Sequence, residues 1–464
     1  MMVHISLKIT IFAVTNMNGR MKRSKYLLLL LLVSSCVTNR TVYRRSYQAD
    51  IPSALPAPVQ VHTPVVTEKE PEVSEPVTSA RPLASQVRRF PQGTWQYEKQ
   101  QALDSLCLSP IFEVSQLGLC VYDLTEGEPL YAVNAAHRMR PASCQKVVTA
   151  VTALHFLKGD YRLTTDFRIR GKVNGGVLEG DLVVVGGMDP LVTPAELLQA
   201  AASIRQQTGI ESIAGNIVCD RSMREDAPYG WGWCWDDDYG PLSALLVDGK
   251  DCFEQEWTSA LSRAGITVQN TLEATPPKVT ATGSSVYTIR HDLDPLLEQM
   301  MKESNNIYAE CLFYQTAATT GKKGAGHREA AGRTEELLKS LGLDAGTIKV
   351  ADGSGLSLYN YLSAEVEVAL LRYAYERVDI YDRLLPTLPV AGVDGTLKKR
   401  MKGTAAEGNV QAKTGTLTGV VTLAGYLTAA NGHRLCFAIM NQGTLKAAAA
   451  RAFQDKLCTI MCEP

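Results

Sequence analysis

The chain has 464 residues, with 47 lysines and arginines against 48 aspartates and glutamates and a formal net charge of −1 at pH 7. That balance excludes a polycation built to hold nucleic acid. About 370 residues remain once a targeting segment and a linker are set aside, which is ample for two domains.

The first elements in chain order are an address and a tether. Met21-Lys-Arg-Ser-Lys25 is basic, Leu27 to Val33 is a short apolar run, and Ser34-Ser35-Cys36 follows. That order is a secretory signal, too short to span a membrane as a mature helix, and Met21 suits its start better than Met1. Val33-Ser-Ser-Cys36 resembles a bacterial lipobox. Cys36 is then the lipid-modified first residue of a periplasmic envelope protein anchored to a membrane, the outer one being favoured. A soluble export signal cleaved near Ser35 is the alternative. No other stretch reaches about 18 apolar residues, so no second membrane segment is expected. From Val37 the chain is rich in Pro, Val, Thr and Glu, with 8 of the 21 prolines between Pro52 and Pro91. Such a composition has few core-forming runs and predicts a disordered tether over residues 37–92, reaching about 40 Å as a coil.

Gly118–Val133 reads as a hairpin around Glu126-Gly127-Glu128. Pro141 to Leu157 then reads as a helix start and a helix with apolar residues spread widely around it, as in a core. Ser143-Cys144-Gln145-Lys146 lies at its first turn. Residues three apart share a helix face, so Ser143 and Lys146 can meet. A serine hydroxyl needs a neighbouring base, and a lysine serves only when neutral. Its reference pKa of about 10.4 must be lowered by burial or by a second cation, for which Lys413 is the candidate. Cys144 points about 100° away from Ser143 and reads as a packing residue. A second hairpin follows over Phe167–Val185 with Asn174-Gly175-Gly176 at its turn. A helix, further strands and a helix over Phe253–Gly265 complete that region.

Two further motifs come late. His291 to Glu303 carries Pro295 in a first turn and apolar residues at helical spacing, and Ile307, Tyr308, Ala309, Leu312 and Phe313 mark a second apolar helix. Ser304-Asn305-Asn306 therefore lies at a helix junction, where Ser304 and Asn306 can face a site while Asn305 serves as a cap. Lys413-Thr414-Gly415 precedes two strand-like runs, Gly419–Leu427 and Arg434–Met440, with Gly432 between them as in a hairpin. The lysine and the threonine hydroxyl suit a carboxylate, and Gly415 leaves room for a substrate backbone. Early and late strands can share one antiparallel sheet covered by helices, and an Ala-rich helix near Ala447 ends the chain.

The eleven cysteines follow no disulfide framework. Cys458 and Cys462 lack a Cys-x-x-Cys or histidine partner and read as packing residues rather than metal ligands. The seven histidines fall in no triad-like context. No cofactor and no metal is expected.

Ser-x-x-Lys alone should arise by chance about once in a chain this long; the order and wide spacing of all three motifs are specific. Together they are the pattern of the penicilloyl-serine transferases, which include penicillin-binding proteins and serine β-lactamases. Gly180–Pro190, Gly215–Asp220, Asp226–Ser243, Asp352–Ser357 and Asp394–Leu397 further resemble one branch, the D-alanyl-D-alanine carboxypeptidase/endopeptidases or class C low-molecular-mass penicillin-binding proteins. The resemblance spans about Gly118 to Met440. It implies an α+β fold, a transpeptidase/β-lactamase-like antiparallel sheet flanked by helices and split by a smaller inserted domain. The catalytic domain is expected over residues 93–165 and 286–464, and the insert over 166–285. The gap from Lys146 to Ser304 is shorter than in members with two inserted domains, so the insert is expected to be reduced.

The same resemblance implies the roles. Ser143 attacks the carbonyl between two D-alanines and Lys146 takes its proton. Ser304 relays the proton to the leaving amine, with Lys413 tuning the charge. Asn306 binds the substrate amide. Lys413, Thr414 and Thr416 hold the terminal carboxylate, beside Gly415. The N–H groups of Ser143 and Thr416 form the oxyanion hole. Peptidoglycan stem peptides are the implied substrate, and β-lactams are implied inhibitors that trap Ser143. The competing readings are a serine β-lactamase and a non-catalytic peptidoglycan-binding lipoprotein.

Overall fold

The computed structural model describes residues 83–237, 239–270 and 282–464. The signal segment, Cys36 and the tether as far as residue 82 lie outside the described residues. Residues 83–92, which composition places in the tether, lie on the folded body. Phe90 is buried, and its N–H donates to Gln100 Oε1 at 3.3 Å. Gln100 Nε2 donates to the Arg88 carbonyl, and Arg88 pairs with Glu128. One aromatic ring and one arginine seat the segment, so the expected boundary at 92 stands too far along the chain.

In chain order the main elements are α1 (Trp95–Cys107), β1 (Gln116–Asp123), β2 (Glu128–Val133), α2 (Gln145–Leu157), β3 (Arg162–Asn174), β4 (Val177–Gly186), α3 (Pro194–Thr208), β5 (Ser212–Ile213), β6 (Ile217–Asp220), α4 (Phe253–Arg263), β7 (Thr267–Val268), β8 (Ser284–Asp292), α5 (Leu293–Lys302), α6 (Asn306–Ala318), α7 (His327–Ser340), α8 (Ala364–Tyr375), β9 (Gln411–Leu417), β10 (Val420–Thr428), β11 (Arg434–Gln442) and α9 (Ala447–Cys462).

The first sheet has the order β2-β1-β11-β10-β9 and is antiparallel throughout. The early hairpin is closed by the late strands, with Leu119 of β1 opposite Ile439 of β11. Both faces are covered. Leu435, Phe437 and Ile439 enter a core with Leu103 of α1 and Phe453 and Leu457 of α9. Cys436, Ala438 and Met440 enter another with Val147, Val151 and Leu154 of α2 and Leu370 of α8. Burial on both sides explains why β10 and β11 read as unbroken apolar runs rather than alternating ones.

The second sheet has the order β7-β5-β4-β3-β8, with β6 parallel to β4. Its long hairpin pairs Asn174 with Val177 across Gly175-Gly176. Both glycines have positive φ, +54° and +82°, as a two-residue turn of this hand requires. Phe167, Leu182, Leu197, Ile204 and Trp257 form a separate core between this sheet and helices α3 and α4.

Candidate active site

Helix α2 opens with a 3₁₀ turn, Ala142–Cys144, and Ser143 stands on it. Ala142 is held at φ +47°, a conformation that residues with a Cβ avoid and that persists only when the surroundings impose it. Two glycines let the surroundings close in. A Cβ on Gly355 would lie 1.8 Å from the Ala142 carbonyl oxygen. One on Gly415 would lie 2.1 Å from Thr422 Oγ1 and 2.9 Å from the Ser143 nitrogen. Gly415 thus lets β9 pack closely against Thr422 of β10 and the turn that carries Ser143.

Lys146 is fully buried, and its Nζ lies 3.0 Å from Ser143 Oγ. The same nitrogen donates to Asn306 Oδ1 at 2.6 Å and to the Ser354 carbonyl at 2.9 Å. Burial, and after it the cation of Lys413, push Lys146 well below the ordinary lysine range. A neutral amine has two N–H donors and one lone pair. In the neutral form that this shift favours, donors to Asn306 and Ser354 leave a lone pair for the Ser143 hydroxyl.

Lys413 is also fully buried, in β9, the edge strand of the first sheet. Its Nζ donates to Ser304 Oγ at 2.9 Å and to the Thr414 carbonyl at 2.7 Å. Burial lowers it to about 8. Ser304 sits between α5 and α6 with φ +59°, a second strained backbone position beside the same amines. Asn305 caps α6 by accepting from the Tyr308 N–H.

The structure therefore holds Ser143, Lys146 and Asn306 in one hydrogen-bonded group and Ser304 and Lys413 in a second, with the Lys413 charge acting on Lys146. The threonine side chains stand apart from both. Thr414 donates its hydroxyl to Thr396 Oγ1 at 2.7 Å. Thr416 is exposed and accepts from Arg451 Nη2 at 3.3 Å. Cys144 is buried with Sγ 3.2 Å from the Lys413 carbonyl, a packing position as expected. The ten described cysteines, Cys458 and Cys462 among them, are free thiols.

Sequence reasoning passed over what holds the Ser354 carbonyl. Buried Asp352 accepts from the N–H groups of Gly355 and Ser357, from Asn360 Nδ2 and from Trp233 Nε1. Buried Glu310 accepts from the N–H groups of Gly353 and Ser354, and burial raises it to about 8. The Asp352–Ser357 loop is thus stapled from within and from α6. A backbone carbonyl has no side-chain signature. The available signal was Glu310 itself, an acid in an otherwise apolar run one turn after Asn306.

The model of the D-Ala-D-Ala carboxypeptidase 3 (S13) family matches residues 99–252 and 241–463. The D-alanyl-D-alanine carboxypeptidase of Actinomadura sp. (strain R39) is 28% identical over 79% of this chain and 85% of its own length. The carboxypeptidase DacB of Mycolicibacterium smegmatis is 30% identical over 69% of this chain and 75% of its own. The crystal structure of penicillin-binding protein 4 (DacB) from Haemophilus influenzae superposes with a TM-score of 0.69 at 24% identity, over 77% of this chain and all of that one. The fold is the α+β arrangement of that neighbour. The chain belongs to the D-Ala-D-Ala carboxypeptidase 3 (S13) family and is a serine peptidase of that kind.

Proposed function

We propose that the protein hydrolyses peptidoglycan through an acyl-enzyme on Ser143, cleaving the terminal D-Ala–D-Ala bond of stem peptides and the D-alanyl cross-links between them. One observation carries the reading: a fully buried lysine amine 3.0 Å from a serine hydroxyl, with a second buried amine to keep it neutral. Lys146 takes the Ser143 proton as Oγ attacks the D-alanyl carbonyl. The N–H groups of Ser143 and Thr416 receive the charge that develops on the carbonyl oxygen. The proton reaches the leaving amine through Ser304, whose hydroxyl is polarised by the Lys413 ammonium. Asn306 accepts from Lys146 at Oδ1 and keeps Nδ2 for the substrate amide. Gly415 lets β9 lie close to the Ser143 turn, and Thr414 and Thr416 line the carboxylate end. Water then attacks the ester, and the same groups return the protons.

A β-lactam presents a strained amide beside a carboxylate, and Ser143 holds its opened ring as a slow ester. A structure of the Haemophilus influenzae relative is a complex with a β-lactam, which supports this part of the reading.

The family places the enzyme at the cell envelope. In our reading Cys36 carries a lipid and the tether lets the enzyme reach the wall from its membrane. Residues 166–285 form an inserted domain between the two parts of the catalytic domain. Among the described residues no helix is long and apolar enough to cross a membrane.

Labelled penicillin should mark the purified protein, and Ser143→Ala should lose the mark while keeping its melting temperature. Monomeric and cross-linked muropeptides should both yield to the native enzyme and lose at least about 10⁴-fold in rate with Ser143→Ala. A mark that survives the substitution sinks the assignment of the nucleophile. Rapid turnover of the penicillin would favour a β-lactamase instead. Cys36→Ser should move the protein out of the membrane fraction; retention there would refute the anchor.

A further inference from the structure

The carboxylate next to the scissile bond needs a cation, and Lys413 is poorly available for it. Its Nζ is buried and already donates to Ser304 Oγ and to the Thr414 carbonyl, so its charge serves the proton path. A second cation stands beside Thr416: Arg451, in the second turn of α9. Its side chain is exposed, and Nη2 donates to Thr416 Oγ1 at 3.3 Å. Among the described residues no carboxylate pairs with it, whereas Arg400, which donates to the Arg451 carbonyl, is paired with Asp455. The residues before Arg451, Ala447 to Ala450, are all alanine, so no bulky side chain of that turn screens the guanidinium. Helix stability does not explain an arginine there, because cations are favoured near the other end of a helix.

We propose that Arg451 is a substrate-binding residue. Its guanidinium pairs with the carboxylate carried by the carbon next to the leaving nitrogen, with the Thr416 hydroxyl as the second donor. In the carboxypeptidase reaction this is the C-terminal carboxylate of D-alanine. In a cross-link it is the carboxylate beside the acceptor amine, so links made through an amine with no adjacent carboxylate lose the contact. An arginine is charged at every working pH and offers a planar fork matched to a carboxylate. The assignment rests on the peptidase reading.

The test compares a D-Ala-D-Ala peptide bearing a free carboxylate with its C-terminal amide, measuring kcat and KM for each. The native enzyme should prefer the free acid by about 10- to 100-fold in kcat/KM, the range of a charge-assisted pair. Arg451→Ala should collapse that preference, mainly through a higher KM for the acid, and Arg451→Lys should restore part of it. Added salt should erode the preference of the native enzyme and leave that of Arg451→Ala where it is. A native-like preference in Arg451→Ala, or equal losses on both peptides, overturns the assignment alone. Native protein that releases D-alanine from neither peptide overturns the peptidase reading and this inference with it.

Discussion

Two cation sites in this protein, one fully buried and one partly buried, are built on opposite principles. Beside Ser143, Lys146 and Lys413 are fully buried, and among the described residues no carboxylate touches either amine. The nearby acids, Asp352 and Glu310, are occupied by backbone N–H groups of the Asp352–Ser357 loop. Where β8 meets α3, His291 lies between Asp189 at 2.7 Å and Glu196 at 2.8 Å. These hydrogen bonds, Asp189 first, raise the imidazole to about 9. Burial without a counter-ion depresses a cation and leaves a base. Hydrogen bonds to two acids hold the charge and tie elements together. The first arrangement sacrifices stability for reactivity, and the second does the reverse.

The largest effect expected from that contrast is at Lys146. Lys146→Arg cannot be neutral at any working pH and should lose about 10³- to 10⁴-fold in acylation by penicillin. Lys146→Met fills the same space without an amine, and should lose as much while melting no lower than the native protein. A pronounced drop in melting temperature for Lys146→Met would mean the amine is a structural tie like His291, and the contrast would fail.

Lys413 should act through pH. Its charge is needed beside Ser304, so kcat/KM should fall as pH rises through about 8, where Lys413 gives up its proton. Stability should move the other way. The folded lysine titrates near 8 and the unfolded one near its ordinary value, about 10.4. Between these the unfolded chain binds more protons, so stability rises with pH across that window. A rate profile and urea titrations at pH 7.5 and 9.5 read both directions. An alkaline limb that persists unchanged in Lys413→Met would assign it to another group.

A smaller loss is expected from His291→Ala, about 2 kcal/mol of stability, because buried Asp189 is left, among the described residues, with only the Leu191 N–H at 3.0 Å. The raised pKa sets the sign. The contribution is complete below the unfolded value of about 6.5 and is lost as pH rises through about 9. Denaturant unfolding at pH 6 and pH 10 should show the native protein converging on the variant at the higher pH. The turnover number should not change, and a large fall in it would deny the separation of the two sites.

The candidate site was legible in the sequence because its members are side chains with a required order: Lys146 bonds Ser143 and Asn306, and Lys413 bonds Ser304. The strands β10 and β11 were legible as apolar runs, but the two cores they divide were not, since an unbroken run does not say which residues share a face. The Ser354 carbonyl and the turned-over backbone at Ala142 left no local trace; both are imposed by contacts between segments distant in sequence, through Gly355 and Gly415. The two-residue strands β5 and β7 carry no period to detect. Phe90 shows the opposite failure, in which the composition of its neighbours hid one residue that packs.

A buried acid sharpens the contrast from the other sign. Glu367 of α8 is fully buried, and neither carboxylate oxygen has a hydrogen-bond partner among the described residues. Burial alone raises it to about 8. Like Lys146 it is kept neutral by the absence of a counter-ion, yet it is given no part in the proposed chemistry. Below about pH 4.5 both folded and unfolded chains are protonated here, and above that the unfolded chain ionises first. The folded state then binds more protons, so this group lowers stability as pH rises from about 4.5 to 8. Glu367→Gln keeps the volume and cannot ionise. It should match the native protein at pH 4.5 and exceed it by about 1–3 kcal/mol at pH 8, with acylation by penicillin unaltered. Denaturation curves that stay parallel at both pH values would show that the carboxyl is not neutral in the fold. Loss of acylation would show that neutrality imposed by burial marks function at this position as well, and that the chemistry extends from the Ser143 turn into α8.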